Sequence, residues 1–426
     1  MEYKSISPFR KNFFSIFQAG IFVQLLSILI LPILSRLYSP IQFGTLALFT
    51  SLISLILSFA TLRFEWLVPN AKTKVEAAGL ILLGVISLIF FAIILQIIWV
   101  KNSEILVNLI SKNENSDITL DGLNFLINLA IFGGGFLALL KSWYVFLNDL
   151  TFVGKSMLIQ STSKSLLSAF LGFFSLSRNG LITSYIAGLW AGCAVLAKDS
   201  KGLWTSIDKI SKQKIEDLFL RFKKEAFIST LVSLVNLVSL SLPLFLISYR
   251  YSIKEAGWYS LMFSVAAAPI GLFTSSLSES YWAHAANLYK SGLYRELNRN
   301  FKKTTLRLTW GIPPILILCC LGPLIVGPIF GKEEWSEAGL LLLVMAPMFI
   351  GNLVFSPTNH LVVLKRQSLQ LFADLIRIIL ISFAIISSSY MSWNVYFAIM
   401  LSSIASLIGH SVLFIIHIYE HKKLIK

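Results

Sequence analysis

About twelve times along this chain, an apolar run of eighteen or more residues recurs with few or no charges inside it. Each run is long enough to cross the roughly 30 Å hydrocarbon core of a bilayer as a helix. A helix satisfies its backbone donors and acceptors within itself, so such runs predict a bundle of spanning helices. The spans read 13–35, 40–62, 76–100, 122–146, 151–176, 180–197, 226–249, 254–281, 304–330, 336–356, 367–389 and 394–418. Composition agrees, with 56% hydrophobic and only 13% charged residues, where a soluble domain carries about a quarter charged. Pro32, Pro243, Pro269, Pro313, Pro314 and Pro347 fall in or near the ends of spans. Membrane helices tolerate such breaks where neighbours or a wet cavity satisfy the freed carbonyls.

The net charge of +15 sits in the loops between spans, which points to topology and anionic lipid instead of nucleic acid. Loops on the side of the N-terminus hold 25 Lys and Arg, and the opposite loops hold 7. By the positive-inside rule both termini are cytoplasmic, in the cytoplasmic (inner) membrane. The N-terminus is short and positive, but the run behind it is span-length and no small-residue cleavage site follows, so it reads as a retained first helix. Cys193, Cys319 and Cys320 all lie inside spans and offer neither a disulfide framework nor metal spacing.

Lys198 to Glu225 is the longest stretch without a membrane-length run, and about half of the chain lies on each side. Eight of its residues are Lys or Arg; Leu203, Trp204, Ile207, Ile210, Ile215, Leu218, Phe219 and Phe222 recur mostly at helical spacing. This predicts a basic amphipathic segment in the cytoplasmic interface, cations toward anionic headgroups. The expected organisation is a six-helix bundle at 1–197, an amphipathic linker at 198–225 and a second six-helix bundle at 226–426. An internal repeat fits it. Leu31-Pro32 is followed by Gly44 and Leu242-Pro243 by Gly257 at similar spacing, and an offset of about 210 lays Lys155, Gln160 and Lys164 over Lys365, Gln370 and Asp374. Six spans per half relate the halves by a pseudo-twofold axis along the membrane normal.

Several segments carry a family resemblance. Leu37-Tyr38-Ser39-Pro40-Ile41-Gln42-Phe43-Gly44 and Ala60-Thr61-Leu62-Arg63-Phe64-Glu65 resemble the first two helices of the bacterial polysaccharide (O-antigen) flippases. So do Glu255-Ala256-Gly257-Trp258-Tyr259-Ser260-Leu261 and the stretch from Phe330 to Gly339. That family belongs to the multidrug/oligosaccharidyl-lipid/polysaccharide exporter superfamily. The resemblance implies two six-helix bundles around a central basic cavity, flipping an undecaprenyl-diphosphate-linked O-antigen or capsule-type repeat unit outward by alternating access. It also implies work beside polysaccharide polymerase and chain-length proteins, and a coupling ion, proton or sodium, as a further partner.

Charges inside spans mark sites, because they face a cavity or a partner. Lys164, Asp374 and Arg377 fall near mid-membrane. Asp374 and Arg377 are three residues apart and pair on one face, as a structural ion pair or a functional one. Lys164 has no acid within four residues on its own helix, so it pairs across helices, with Asp374 of the other half, or meets an anionic ligand. Arg63, Glu65 and Lys141 lie near the cytoplasmic ends, where cations either snorkel or ring a mouth that captures a diphosphate. Asp374 and Glu65 are the candidate coupling carboxylates, while Glu279 and Arg307 read as interface anchors.

Enzyme motifs fail on context. His417-Ile418-Tyr419-Glu420-His421 matches H-x-x-E-H without room for a third ligand. Ser161-Thr162-Ser163-Lys164 matches S-x-x-K without its S-D-N and K-T-G partners. Gly154-Lys155-Ser156 lacks the earlier glycine of a phosphate loop. No cofactor or metal is therefore expected. A membrane polymerase or ligase of lipid-linked glycans needs a large outer loop with catalytic Arg or His, and 101–121 has neither. Within transporters, the alternative is a cation-coupled drug exporter, whose cavity would be less basic.

Overall fold

The computed structural model describes residues 8–110, 120–176, 179–355, 361, 364 and 366–425. Among them the chain is helical throughout: α1 Pro8–Leu37, α2 Pro40–Ala60, α3 Phe64–Leu67, α4 Lys74–Ile110, α5 Leu120–Phe146, α6 Leu150–Phe173, α7 Gly180–Lys198, α8 Lys201–Ile207 and α9 Lys212–Arg250. There follow α10 Ile253–Lys290, α11 Tyr294–Thr309, α12 Ile312–Phe330, α13 Lys332–Trp335, α14 Gly339–Val344, α15 Ala346–Val354, α16 Gln367–Tyr390 and α17 Val395–Ile425. Lys101, Lys112, Arg178, Glu279 and Lys332 have side chains outside the described set.

Nine helical stretches among the described residues are long and apolar enough to cross a membrane. Three expected spans are not among them. The first, 151–176, is α6, whose polar Lys155, Gln160, Ser161, Thr162, Ser163 and Lys164 dilute its apolar content. The second, 254–281, lies in α10, where most side chains of 275–290 fall outside the described set. The third, 336–356, is cut into α14 and α15, with Pro347 in the first turn of α15. There the Met348 amide donates to Ser403 Oγ of α17 at 2.9 Å, so a neighbouring helix satisfies a group the break frees. Many large apolar side chains stand out of the packing, among them Leu29, Phe90, Ile379 and Phe383.

The helices group into two compact units. Unit 1 comprises Met1–Leu37 and Leu48–Leu234, and unit 2 comprises Tyr38–Ala47 and Val235–Lys426. The core of unit 1 at one end is built on Trp143 and Tyr144 of α5, Leu196 of α7, and Phe64, Leu67 and Val68 after α2. The Tyr144 hydroxyl donates to the Leu196 carbonyl at 2.8 Å, tying α5 to α7.

This core also takes part of the apolar stripe of 198–225, while Trp204 and Phe219 stay exposed. Leu203, Leu218 and Phe222 are buried in it, with Ile207, Ile210 and Ile215 packed against them. Leu218 lies over Gly79 so closely that a Cβ there would stand 2.5 Å from its Cδ1. Arg221 adds an ion pair to Glu76 of α4 at 2.9 Å. Burying each such Leu or Phe is worth about 1.5–3 kcal/mol whether the apolar partner is lipid or protein. The stripe therefore could not reveal its partner. α9 then continues unbroken from this docked segment into the next span.

In unit 2 the two glycines of the repeat meet each other. A Cβ on Gly44 would overlap the Ile253 carbonyl oxygen and stand 3.0 Å from the Gly257 nitrogen. A Cβ on Gly257 would overlap the Pro40 carbonyl oxygen and stand 3.0 Å from the Gly44 nitrogen. Each glycine thus faces the carbonyl one turn before the other, a reciprocal crossing open only to residues without a Cβ. Phe43 closes its side edge-on to Trp335, with ring centroids 5.3 Å apart.

Candidate functional site

The arginines come first, because each makes an ion pair within its own segment. The chain leaves α2 with Leu62 and Arg63 both left-handed, at φ 47° and 56°, a conformation costly for residues with side chains. This turns Arg63 back on its own segment. Its Nη2 donates to Ser58 Oγ at 3.2 Å, its Nη1 lies 3.4 Å from Glu65 Oε1, and its guanidinium lies over the Trp66 ring. Burial pushes the Glu65 carboxyl above its ordinary range, against the lowering effect of its own backbone amide, the Thr61 hydroxyl and Arg63.

Arg377 is held more completely, buried within unit 2. Its Nη2 is 3.1 Å from Asp374 Oδ1, one turn earlier on α16. Its Nε and Nη2 both donate to Ser239 Oγ of α9, at 2.9 and 2.6 Å. Its Nη1 is 3.0 Å from His410 Nε2 of α17. His410 Nδ1 is 2.8 Å from the Ser406 carbonyl, which only accepts, so Nδ1 carries the proton and Nε2 accepts from the guanidinium. Gly409 lets α17 approach, since a Cβ there would stand 2.7 Å from the Arg377 Cβ. The planar fork thus clasps three helices in a buried polar network. Asp374, offered by the sequence as a partner for Lys164, is engaged by Arg377 of its own helix.

The lysines are different. Lys164 sits about 21 Å along α6, a helix of about 36 Å at 1.5 Å per residue. Its ammonium lies 5.8 Å from the centre of the Tyr185 ring on α7, within cation–π range. The close approach of α7 places it there, because a Cβ on Gly188 would stand 2.8 Å from the Gln160 carbonyl oxygen and 3.0 Å from the Lys164 Cβ. One turn toward the start of α6, Lys141 of α5 donates to Gln160 Oε1 at 3.4 Å. Another turn on, Ser156 Oγ donates to the Gly192 carbonyl at 3.0 Å. Ser156, Gln160 and Lys164 thus form one polar edge of α6, and no carboxylate among the described residues stands at ion-pair distance from Lys141 or Lys164.

Two ammonium groups on neighbouring helices are suited to an anion with more than one charge, such as a diphosphate. Sequence reasoning found both lysines but not the Gln160 contact of Lys141, the Tyr185 contact of Lys164, or the Ser239–His410 clasp. For His410 the signal was present, since an ionisable side chain inside a span is itself a marker. His417, from the rejected metal pattern, packs edge-on to Phe301 at 5.7 Å.

The chain has the fold of the MOP-superfamily transporters, whose members here are twelve-helix and two-lobed. Lipid II flippase MurJ, in an inward closed conformation, matches with TM-score 0.69 at 18% identity, covering 96% of this chain and 89% of that one. An inward-facing multidrug resistance MATE family transporter matches with TM-score 0.68 at 11% identity, covering 94% and 95%. The eukaryotic MATE transporter AtDTX14 matches with TM-score 0.59 at 15% identity, covering 98% and 99%. No family model and no curated protein matches the sequence.

Proposed function

We propose that this protein is a transporter that flips an undecaprenyl-diphosphate-linked oligosaccharide from the cytoplasmic to the outer leaflet by alternating access. The observation that carries the reading is the contrast in the site: both candidate carboxylates pair with arginines, while no carboxylate among the described residues pairs with Lys141 or Lys164. A cation without a counter-ion in low dielectric is costly to keep, and a passing diphosphate supplies the missing charge. The likeness to a lipid-linked-substrate flippase, MurJ, supports the same substrate chemistry.

A second reading, a drug exporter, draws on the likeness to the multidrug resistance MATE transporter. Cationic drugs would be repelled by Lys141 and Lys164, which favours the anionic cargo. Proteoliposomes decide between them. The purified chain is expected to move fluorescent undecaprenyl-diphosphate-linked glycan across the bilayer and to leave an organic cation such as ethidium unmoved. Ethidium transport without glycan transport would replace the first reading with the second.

A further inference from the structure

α11 carries a one-sided charged surface; the sequence reads 294–303 as loop and 304–309 as the start of the span 304–330. Its inner face is fully engaged: Leu297, Phe301 and Leu308 are buried, and Phe301 packs on Tyr281 of α10 and Phe414 of α17. Its outer face carries Arg295, Arg299, Lys302, Lys303 and Arg307, all exposed. At about 100° per residue these five fall within about 140° of the circumference. Within that arc lie Leu306 and Trp310, 66% and 77% exposed, and a single acid, Glu296. The segment 198–225 is different, since Asp199, Asp208, Glu216, Asp217 and Glu225 interrupt its eight cations.

We infer that the outer face of α11 is a binding surface for anionic phospholipid headgroups of the surrounding bilayer. Three observations choose this occupant. First, α11 passes through Trp310 and Gly311 straight into α12, an apolar helix, so its C-terminal end lies where headgroups meet hydrocarbon. Second, an exposed Leu and Trp inside a ring of cations are ill placed in water and well placed at that boundary. Third, the net positive arc needs an extended anionic surface, which a row of lipid phosphates supplies. Because α11 packs on α10 and α17, its docking fixes the end of unit 2 to the membrane surface whatever cargo is carried.

The test uses the purified full-length chain in mixed micelles holding equal phosphatidylglycerol and phosphatidylcholine, and counts each lipid retained after washing. Wild-type protein is expected to retain phosphatidylglycerol in roughly tenfold excess. R295Q/R299Q/K302Q/K303Q/R307Q should bring the ratio near parity, while K209Q/K212Q/K223Q/K224Q should leave it unchanged. Wild-type enrichment should also vanish in about 1 M salt, where the Debye length is only about 3 Å. The proposal is overturned by enrichment that survives the five-fold substitution or high salt, by loss of enrichment in the 209–224 variant, or by its absence from wild type. The salt arm needs no variant, so it decides the matter even if the substituted protein fails to fold.

Discussion

Within the membrane-spanning bundle, arginine and lysine do separate work, and the reason is their shape. The guanidinium is a rigid fork that satisfies several acceptors at once, so Arg377 can be sealed among Asp374, Ser239 and His410. Removing it leaves Asp374 as an uncompensated buried charge, so Arg377→Ala is expected to destabilise by about 3–5 kcal/mol. Arg377→Met with Asp374→Leu should recover most of that in a detergent unfolding titration. A double variant no more stable than Arg377→Ala would show that the pair is not the cause. Lys164 is expected to behave in the opposite way. Lys164→Ala should fold normally and abolish glycan flipping, and Lys164→Arg should keep part of it, because the charge survives and its shape changes. Normal flipping by folded Lys164→Ala removes Lys164 from the site. Glu65 provides a pH test. Its carboxyl is raised, so its ionised form destabilises the fold as pH rises from the ordinary glutamate range through the raised value, and not below. Glu65→Gln should then raise the unfolding temperature at neutral pH, with a gain that disappears in acid. An equal gain at both pH values would mean that ionisation is not its source.

At the scale of elements, the fold rests on close backbone approach and on one docked amphipathic segment. At the α2–α10 crossing the obstacles to a Cβ are backbone carbonyls, which cannot swing aside as a side chain can. Gly44→Ala and Gly257→Ala are each expected to cost about 1–3 kcal/mol, the range for overpacking a tight contact. Gly20, which has open space around it, is the control: Gly20→Ala should be close to neutral or stabilising. Equal effects at all three positions would contradict the crossing. The docked segment makes its own prediction. Leu218→Asp puts a charge against Gly79 and the Trp143 core, so the turn between α8 and α9 should be nicked faster by protease than in wild type. An unchanged nicking rate would mean that the segment is held by something else.

At the scale of the whole molecule, the cation split in the loops directs the chain through the bilayer. In a background without Cys193, Cys319 and Cys320, a membrane-impermeant thiol reagent added outside is expected to label Ser392→Cys and to miss Lys212→Cys. Both positions are exposed, so accessibility does not bias the comparison. The reverse pattern would invert the topology and the direction of transport proposed from it.

Span-length apolar runs and the in-span charges were legible because each depends on composition along one short stretch, whereas helix ends were not, as α9 starts at Lys212 where 226 was expected. Among the described residues, helices long and apolar enough to cross a membrane coincide with nine of the twelve expected spans. The glycines of the repeat were visible too, though not that they meet. What the sequence left open was partnership, because partners come from distant parts of the chain. Arg377 finds Ser239 across 138 positions, and Arg221 finds Glu76 across 145. An apolar stripe states that it needs an apolar partner and not which one, so 198–225 and 294–309 could be told apart only once packing had covered one face of each. The carboxylates of Arg63 and Arg377 lie two and three residues away, so local spacing already offered those pairs. Only tertiary structure could add Ser239 and His410 around Arg377, and set Lys141 against the Gln160 amide and Lys164 against the Tyr185 ring.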